Sequence, residues 1–253
     1  MISNDKTVQF KQQFDLLSKN TKEYDITVPY IVSHIVDKLP QRDHFIDVGA
    51  GRGNLAKPLS AHFKHTTIIE PNQHFYHEVL DWALHHRRNM SGVSGTWRHA
   101  QVDKADCILL SHVLYYVPRQ TWMPFVAKAY DSLNPGGSII IILNQLSNGV
   151  TDLYHHFLEP NAWWEIASAE GMQEALLEAD YPLQSVNFRS FIRADTAHEA
   201  HELIDFLLLG RATFDTPEKQ QKRVDYTETY LKHGGRYAIN SNCSLITVTK
   251  PLE

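Results

Sequence analysis

The sequence predicts an α/β fold. It reads as a doubly wound sheet, mostly parallel with an antiparallel edge strand, plus a helical N-terminal segment and a late helical insertion. Three observations carry this. His44-Phe45-Ile46-Asp47-Val48 is a short apolar strand that runs straight into the glycine-rich Gly49–Asn54 and then a helix start, the strand–turn–helix unit of open α/β sheets. From there to Leu143, short apolar runs alternate with stretches of helical periodicity. Finally, two long β-rich stretches, Leu183–Arg193 and Arg236–Thr249, flank two helical patterns. A chain of 253 residues suits one such domain with an elaboration, and buries enough apolar surface to need no covalent staples.

The first elements lie before the sheet. Val8, Phe10, Phe14 and Leu17 give residues 5–18 a loosely amphipathic helix, and Ser18–Asp25 reads as a loop. Thr27 is placed as an N-cap with Pro29 in the first turn. Val28, Ile31, Val32, Ile35, Val36 and Leu39 then make one buried stripe that ends at Pro40. After the glycine turn, Asn54–Phe63 is the first crossover helix, with Pro58 in its opening turn. His65–Glu70 is the second strand. Pro71 and Asn72 turn the chain into a helix lined by Phe75, Val79, Leu80, Trp82 and Ala83.

Residues 89–95 read as a loop, with a short third strand at Thr96–His99 beyond it. His99, Ala100 and Gln101 are candidate adenine contacts. Ala105–Leu110 is the fourth strand, Arg119–Leu133 a helix, Asn134-Pro135-Gly136-Gly137 a turn and Ser138–Leu143 the fifth strand. Thr151–Trp164 is aromatic among polar residues, and Ser168 caps a helix over Ala169–Ala179. Leu183–Arg193 and Arg236–Thr249 pair as an antiparallel hairpin at the sheet edge. Thr196–Leu209 and Thr216–His233 are two helices between them, the second opened by Thr216-Pro217-Glu218. The organisation expected is N-terminal helices over 1–40, a core over 41–195 and 234–250, and a helical lid over 196–233 above the active-site edge.

Composition narrows the function. The net charge is −5 with acids and bases interspersed, which argues against a nucleic-acid partner and its basic field. Cys107 and Cys243 sit in apolar runs and behave as small buried hydrophobes. The polar N-terminus lacks a signal-peptide core, and no run of ~18 apolar residues marks a membrane span. A soluble, cytoplasmic protein is expected, with no membrane partner; the sequence does not fix its oligomeric state. Fifteen histidines invite a metal reading. His198, His201 and Glu202 share a helix face, but no further ligand stands near in sequence, so that face is assigned to solvent and no metal is expected.

Two features place a nucleotide-type cofactor. Glycine lets a ligand approach the backbone closely, and the free N–H groups of the following helix face that ligand. A dinucleotide fingerprint is Gly-x-Gly-x-x-Gly; from Gly49 its third glycine position holds Asn54, and the glycine comes one residue early, at Gly53. Downstream, Glu70 ends the second strand at the separation where such folds place a ribose-binding carboxylate.

Asp47-Val48-Gly49-Ala50-Gly51-Arg52-Gly53 resembles motif I of the class I S-adenosylmethionine-dependent methyltransferases, acid-x-Gly-x-Gly-x-Gly, with its Rossmann-like sheet. Leu133-Asn134-Pro135-Gly136-Gly137 ahead of an apolar strand is similar to another feature of that superfamily. The resemblance implies S-adenosylmethionine as cofactor, S-adenosylhomocysteine as product, and Asp47, Gly49, Ala50, Gly51, Gly53, Glu70, Pro71, Asn72 and Ser111 as cofactor-binding residues. The motif IV position, Ser111-His112-Val113-Leu114-Tyr115-Tyr116-Val117, lacks the Asp/Asn-Pro-Pro-aromatic string of base-amino methyltransferases. It looks like the small-molecule enzymes, implying a small amine or hydroxyl acceptor.

A narrower resemblance is to histamine N-methyltransferase and its bacterial relatives. It rests on Leu114-Tyr115-Tyr116-Val117, the late helical insertion, Asn240–Ile246 and the loop Asn20-Thr21-Lys22-Glu23. By it, Glu23 is the carboxylate that meets the acceptor. His112 and Ser241 stand where that family has glutamine and asparagine, so histamine itself is not implied. Imidazole has the right titration range for a base that deprotonates an amine, and His112 is the candidate; packing against adenine or substrate is the alternative. Tyr115 completes the candidate catalytic set, chiefly as a wall. Tyr24, Trp163 and Trp164 are candidates for an aromatic enclosure around an amine cation. The competing readings are an RNA or protein methyltransferase and a non-catalytic cofactor-binding protein.

Overall fold

The computed structural model describes residues 4–159 and 166–252, and the chain divides into two compact units. The larger holds Tyr24–Asn144, Ala167–Phe188 and the chain from Cys243 onward; the smaller holds the chain up to Glu23, Gln145–Ile166 and Arg189–Asn242. Among the described residues ten strands follow in chain order: β1 His44–Val48, β2 His65–Glu70, β3 Met90–Ser94, β4 Ala105–Ser111, β5 Leu133–Asn144, β6 Leu183–Phe188, β7 Phe191–Ala194, β8 Lys232–His233, β9 Arg236–Asn240 and β10 Cys243–Thr249.

The larger unit is built on a seven-stranded sheet of order β3-β2-β1-β4-β5-β10-β6. β3, β2, β1, β4 and β5 are parallel, and β10 runs antiparallel to both β5 and β6. The centre of the sheet is covered on both faces, which is why β4 and β5 carry long apolar runs. Along β5, Ile139, Ile141 and Leu143 join one core cluster while Ile140 and Ile142 join the other. The expected doubly wound α/β class is the observed one, with the reversed strand lying between β5 and the edge strand β6.

Several local expectations are corrected. The loop assigned to Ser18–Asp25 shrinks to two residues, because helix Asn4–Asn20 is followed at once by helix Glu23–His34. The Glu23 N–H donates to Thr21 Oγ1 (3.2 Å). Thr27 is therefore buried mid-helix rather than capping, and Pro29 lies inside that helix. The third strand is Met90–Ser94, the stretch read as a loop, while Thr96–Ala100 forms a single turn. Its Ser-Gly composition hid an edge strand. Gly92 is needed there because a Cβ would fall 2.6 Å from Tyr76 Cε2. The first crossover helix is a short α-helical turn, Ala56–Leu59, continued as a 3-10 turn, Ser60–His62.

The long hairpin is broken. Its outer half pairs as β6 with β10 in the large sheet, and its inner half pairs as β7 with β9 in a separate three-stranded sheet, β7-β9-β8. The break falls at Arg189-Ser190 and Ser241-Asn242, where the Ser241 N–H donates to the Ser190 carbonyl (2.9 Å). The smaller unit thus holds more than the two helices predicted as a lid. Helices Ala197–Leu207 and Pro217–Tyr226, capped by Thr196 and Thr216, are joined by helix Asn4–Asn20, whose Phe10 and Phe14 rings lie 5.5 and 5.9 Å from Phe206. Residues 24–40, expected with the N-terminal cover, belong to the larger unit. No helix among the described residues is long and apolar enough to cross a membrane.

Candidate active site

The carboxyl ends of β1, β2 and β4 lie side by side, and the sequence-predicted cofactor residues gather there. Gly49, Gly51 and Gly53 all have positive φ (72°, 52° and 73°), a conformation that side chains strain to adopt. The Gly49 N–H donates to the Ile69 carbonyl at 2.7 Å, and the Gly53 N–H to Ala50 at 2.8 Å. The loop is thereby folded against β2. A Cβ on Gly49 would fall 2.8 Å from Val113 Cγ2, so the segment after β4 packs directly onto the glycine turn.

Glu70 is the best-defined side chain of the site. The Gly51 N–H donates to its Oε2 (2.8 Å) and the Asn72 N–H to its Oε1 (2.7 Å). Each carboxylate oxygen accepts more than one bond, so each keeps capacity for a further donor. Burial raises the pKa of Glu70, opposed by the two N–H bonds. Asp47, buried in β1 beneath the loop, is pushed up to about 7, first by burial and then by the charge of Glu70, with a bond from the Ala56 N–H pulling the other way. Asn72 is committed elsewhere. Its Oδ1 caps helix Gln73–His85 through the His74 and Phe75 N–H groups, so its main part in the site is to orient Glu70. Pro71 is exposed and Ala50 buried.

Ser111 closes β4, and His112 follows with φ of 52°. A non-glycine residue held there stores about 1–2 kcal/mol of strain, and such strain gathers at functional sites. Its own N–H donates to the Ile142 carbonyl (2.9 Å). Its Nδ1 lies 3.1 Å from Tyr115 Oη, and that oxygen accepts the Asn144 N–H at 2.6 Å. The structure therefore joins His112 to Tyr115 and to the end of β5. Glu23 is not in the larger unit; it is buried at the head of helix Glu23–His34. Tyr24 begins the larger unit, and Trp163 and Trp164 lie outside the described residues, so the aromatic enclosure has no structural account.

Sequence reasoning missed the brace on the loop. Arg52 Nε and Nη2 donate to Glu78 Oε1 (2.9 and 2.6 Å), tying the glycine turn to helix Gln73–His85. No short-range pattern connects residues so far apart in the chain. Asn144 was also missed, because it acts through its backbone.

A glycine turn beside an oriented carboxylate, at the carboxyl edge of a sheet with one reversed strand, defines a Rossmann-like enzyme that binds a nucleoside cofactor. The chain belongs to the methyltransferase-domain family, whose model matches residues 22–206. Among curated proteins it is similar to ribosomal RNA small subunit methyltransferase G of Pasteurella multocida, 33% identical over 128 residues, 47% of this chain and 55% of that protein. It is also similar to carboxy-S-adenosyl-L-methionine synthase of Glaesserella parasuis, 27% identical over 75 residues, 27% of this chain and 31% of that protein. The chain thus spans about half the length of the first relative and about a third of the second.

Solved structures share the fold. A Bacillus halodurans protein matches with TM-score 0.65 at 15% identity, covering 88% of this chain and 98% of that one. The N-methyltransferase NodS of Bradyrhizobium japonicum matches with TM-score 0.54 at 14% identity, covering 91% and 98%. The residues present fit the cofactor. Glu70, held by two N–H groups, can accept from paired hydroxyls.

Proposed function

We propose that the chain methylates a small-molecule acceptor at a nitrogen or hydroxyl, and that His112 removes the acceptor's proton. The observation that carries this is the strained His112 at the end of β4, linked through Tyr115 to β5 and packed through Val113 onto the glycine turn. In this reading the backbone of Gly49, Ala50, Gly51 and Gly53 and the carboxylate of Glu70 bind the nucleoside, with Asp47 beneath and Ser111 at the β4 end. When bound, S-adenosylmethionine supplies an electrophilic methyl on a positively charged sulfur.

The protein's own part is then alignment and proton removal. Orienting two reactants gains up to ~7–11 kcal/mol of barrier, and a positioned base adds its own factor. For Nε2 to accept the proton, Nδ1 must carry one, and Tyr115 Oη is placed to receive that Nδ1–H. Tyr115 thus holds the imidazole in the basic tautomer. The sequence resemblance to histamine N-methyltransferase favours a nitrogen acceptor.

A second reading, an RNA acceptor, is favoured by the ribosomal RNA methyltransferase relative. Labelled methyl transfer from S-adenosylmethionine, offered to a panel of amines and phenols and separately to ribosomal RNA, distinguishes the two. Label in the low-mass fraction is expected. Label confined to RNA overturns the small-molecule reading.

A further inference from the structure

The turn between β3 and β4 is gripped by one helix in a way that packing alone does not require. Thr96–Ala100 is a single helical turn, with the His99 and Ala100 N–H groups donating to the Thr96 carbonyl (both 3.1 Å). Three of its carbonyls converge on the ammonium of Lys128, from helix Trp122–Asp131. Lys128 Nζ donates to the carbonyls of Trp97 (2.5 Å), Ala100 (2.7 Å) and Arg98 (3.4 Å). An ammonium has three donors, and all three find an acceptor in this one turn.

The same helix takes a second hold. The Trp97 indole N–H donates to the Phe125 carbonyl at 3.0 Å, and the Lys128 ammonium stands 4.5 Å from the centre of the Trp97 ring. Trp97 is buried. The turn is also tied to the cofactor edge, because the Gly95 N–H donates to the Glu70 main-chain carbonyl (3.2 Å) and Ser94 pairs with Glu70 in the sheet. The turn therefore starts at the residues beside Glu70 and is the nearest wall, on the β3 side, for a base carried by a ribose on that carboxylate.

We propose that Lys128 is a positioning residue for the cofactor's base: by collecting the carbonyls of Trp97, Arg98 and Ala100 it fixes the turn against which adenine lies, and so sets the preference for that base. This rests on the reading of Glu70 as the ribose carboxylate. Lys128 touches no substrate; it acts through the turn.

Calorimetry of the full chain with S-adenosylhomocysteine and S-inosylhomocysteine tests it. Lys128→Met should weaken S-adenosylhomocysteine at least about tenfold and narrow the preference for adenine over hypoxanthine by a similar factor. Lys128→Arg, which keeps the charge and donors, should recover part of both. Trp97→Phe, which loses the bond to Phe125 and part of the ring beneath Lys128 but keeps the lysine on the carbonyls, should narrow the preference less, and serves where Lys128→Met does not fold. An unchanged preference in folded Lys128→Met or in Trp97→Phe, with Glu70→Ala no longer binding, overturns the role of Lys128 and leaves the site standing. Full affinity in Glu70→Ala overturns the site reading itself.

Discussion

The ends of β2 and β4 stand on the same edge of one sheet and are built by opposite means. Glu70, at the end of β2, is held by two main-chain N–H groups from a glycine turn and a helix start. Any sequence that makes the turn presents those donors. His112, at the end of β4, is held by a strained backbone and a tyrosine hydroxyl, and depends on the particular side chains present. On the function proposed above, the difference makes the donor side a property of the fold and the acceptor side a property of this chain. The two should therefore fail separately.

The largest expected effect tests that separation. His112→Ala should lower kcat by about 10²–10⁴, the usual worth of a positioned general acid or base, while S-adenosylhomocysteine affinity by calorimetry stays within about twofold of wild type. An equal loss of turnover and cofactor affinity would move His112 to the donor side and erase the comparison.

A second effect belongs to the donor side alone. Asp47 is raised from 3.8 to about 7 in the folded chain, so the folded state binds a proton more tightly than the unfolded one. Its contribution to stability is full below the unfolded pKa and is lost as pH rises through the folded one. The total is on the order of 4 kcal/mol between about pH 4 and pH 7. Asp47→Asn can still accept the Ala56 N–H but has no charge to bury. Its melting temperature should gain on wild type from pH 5 to about pH 7 and level off above it, in cofactor-free protein. A constant difference across that range would show that the carboxyl is ionised throughout.

The same contrast explains what the sequence made legible. β1, β2 and β4 could be read because burial on both faces leaves short apolar stretches, closed by Gly49 after β1, Glu70 in β2 and Ser111 in β4. The cofactor loop could be read because positive φ demands glycine at fixed spacing. β3 could not, since an edge strand of Met-Ser-Gly-Val-Ser carries little β signal and its Gly92 answers a tyrosine on another element. The hairpin was seen, but not its break, because Arg189-Ser190 and Ser241-Asn242 interrupt alternation no more than an ordinary strand residue does. The braces Arg52–Glu78 and Lys128–Trp97 were invisible, as they join elements whose approach only the fold decides.

The smallest effect isolates the strain itself. His112→Gly and His112→Ala both delete the imidazole, and both should be equally poor catalysts. They differ in backbone cost. Alanine at φ near 52° keeps the left-handed penalty of about 1–2 kcal/mol, whereas glycine is free of it but loses about 0.5–1 kcal/mol through the entropy of the unfolded chain. The balance favours glycine by up to about 1 kcal/mol, or roughly 2–4 °C in a chain of this size. Thermal melts of the two variants side by side measure it. If the alanine variant melts higher by about the 0.5–1 kcal/mol of the entropy term alone, His112 carries no stored strain, and the end of β4 is held by its neighbours as loosely as any other strand end. If glycine melts higher, the native histidine keeps its place against its backbone preference, which is expected of a residue retained for its ring.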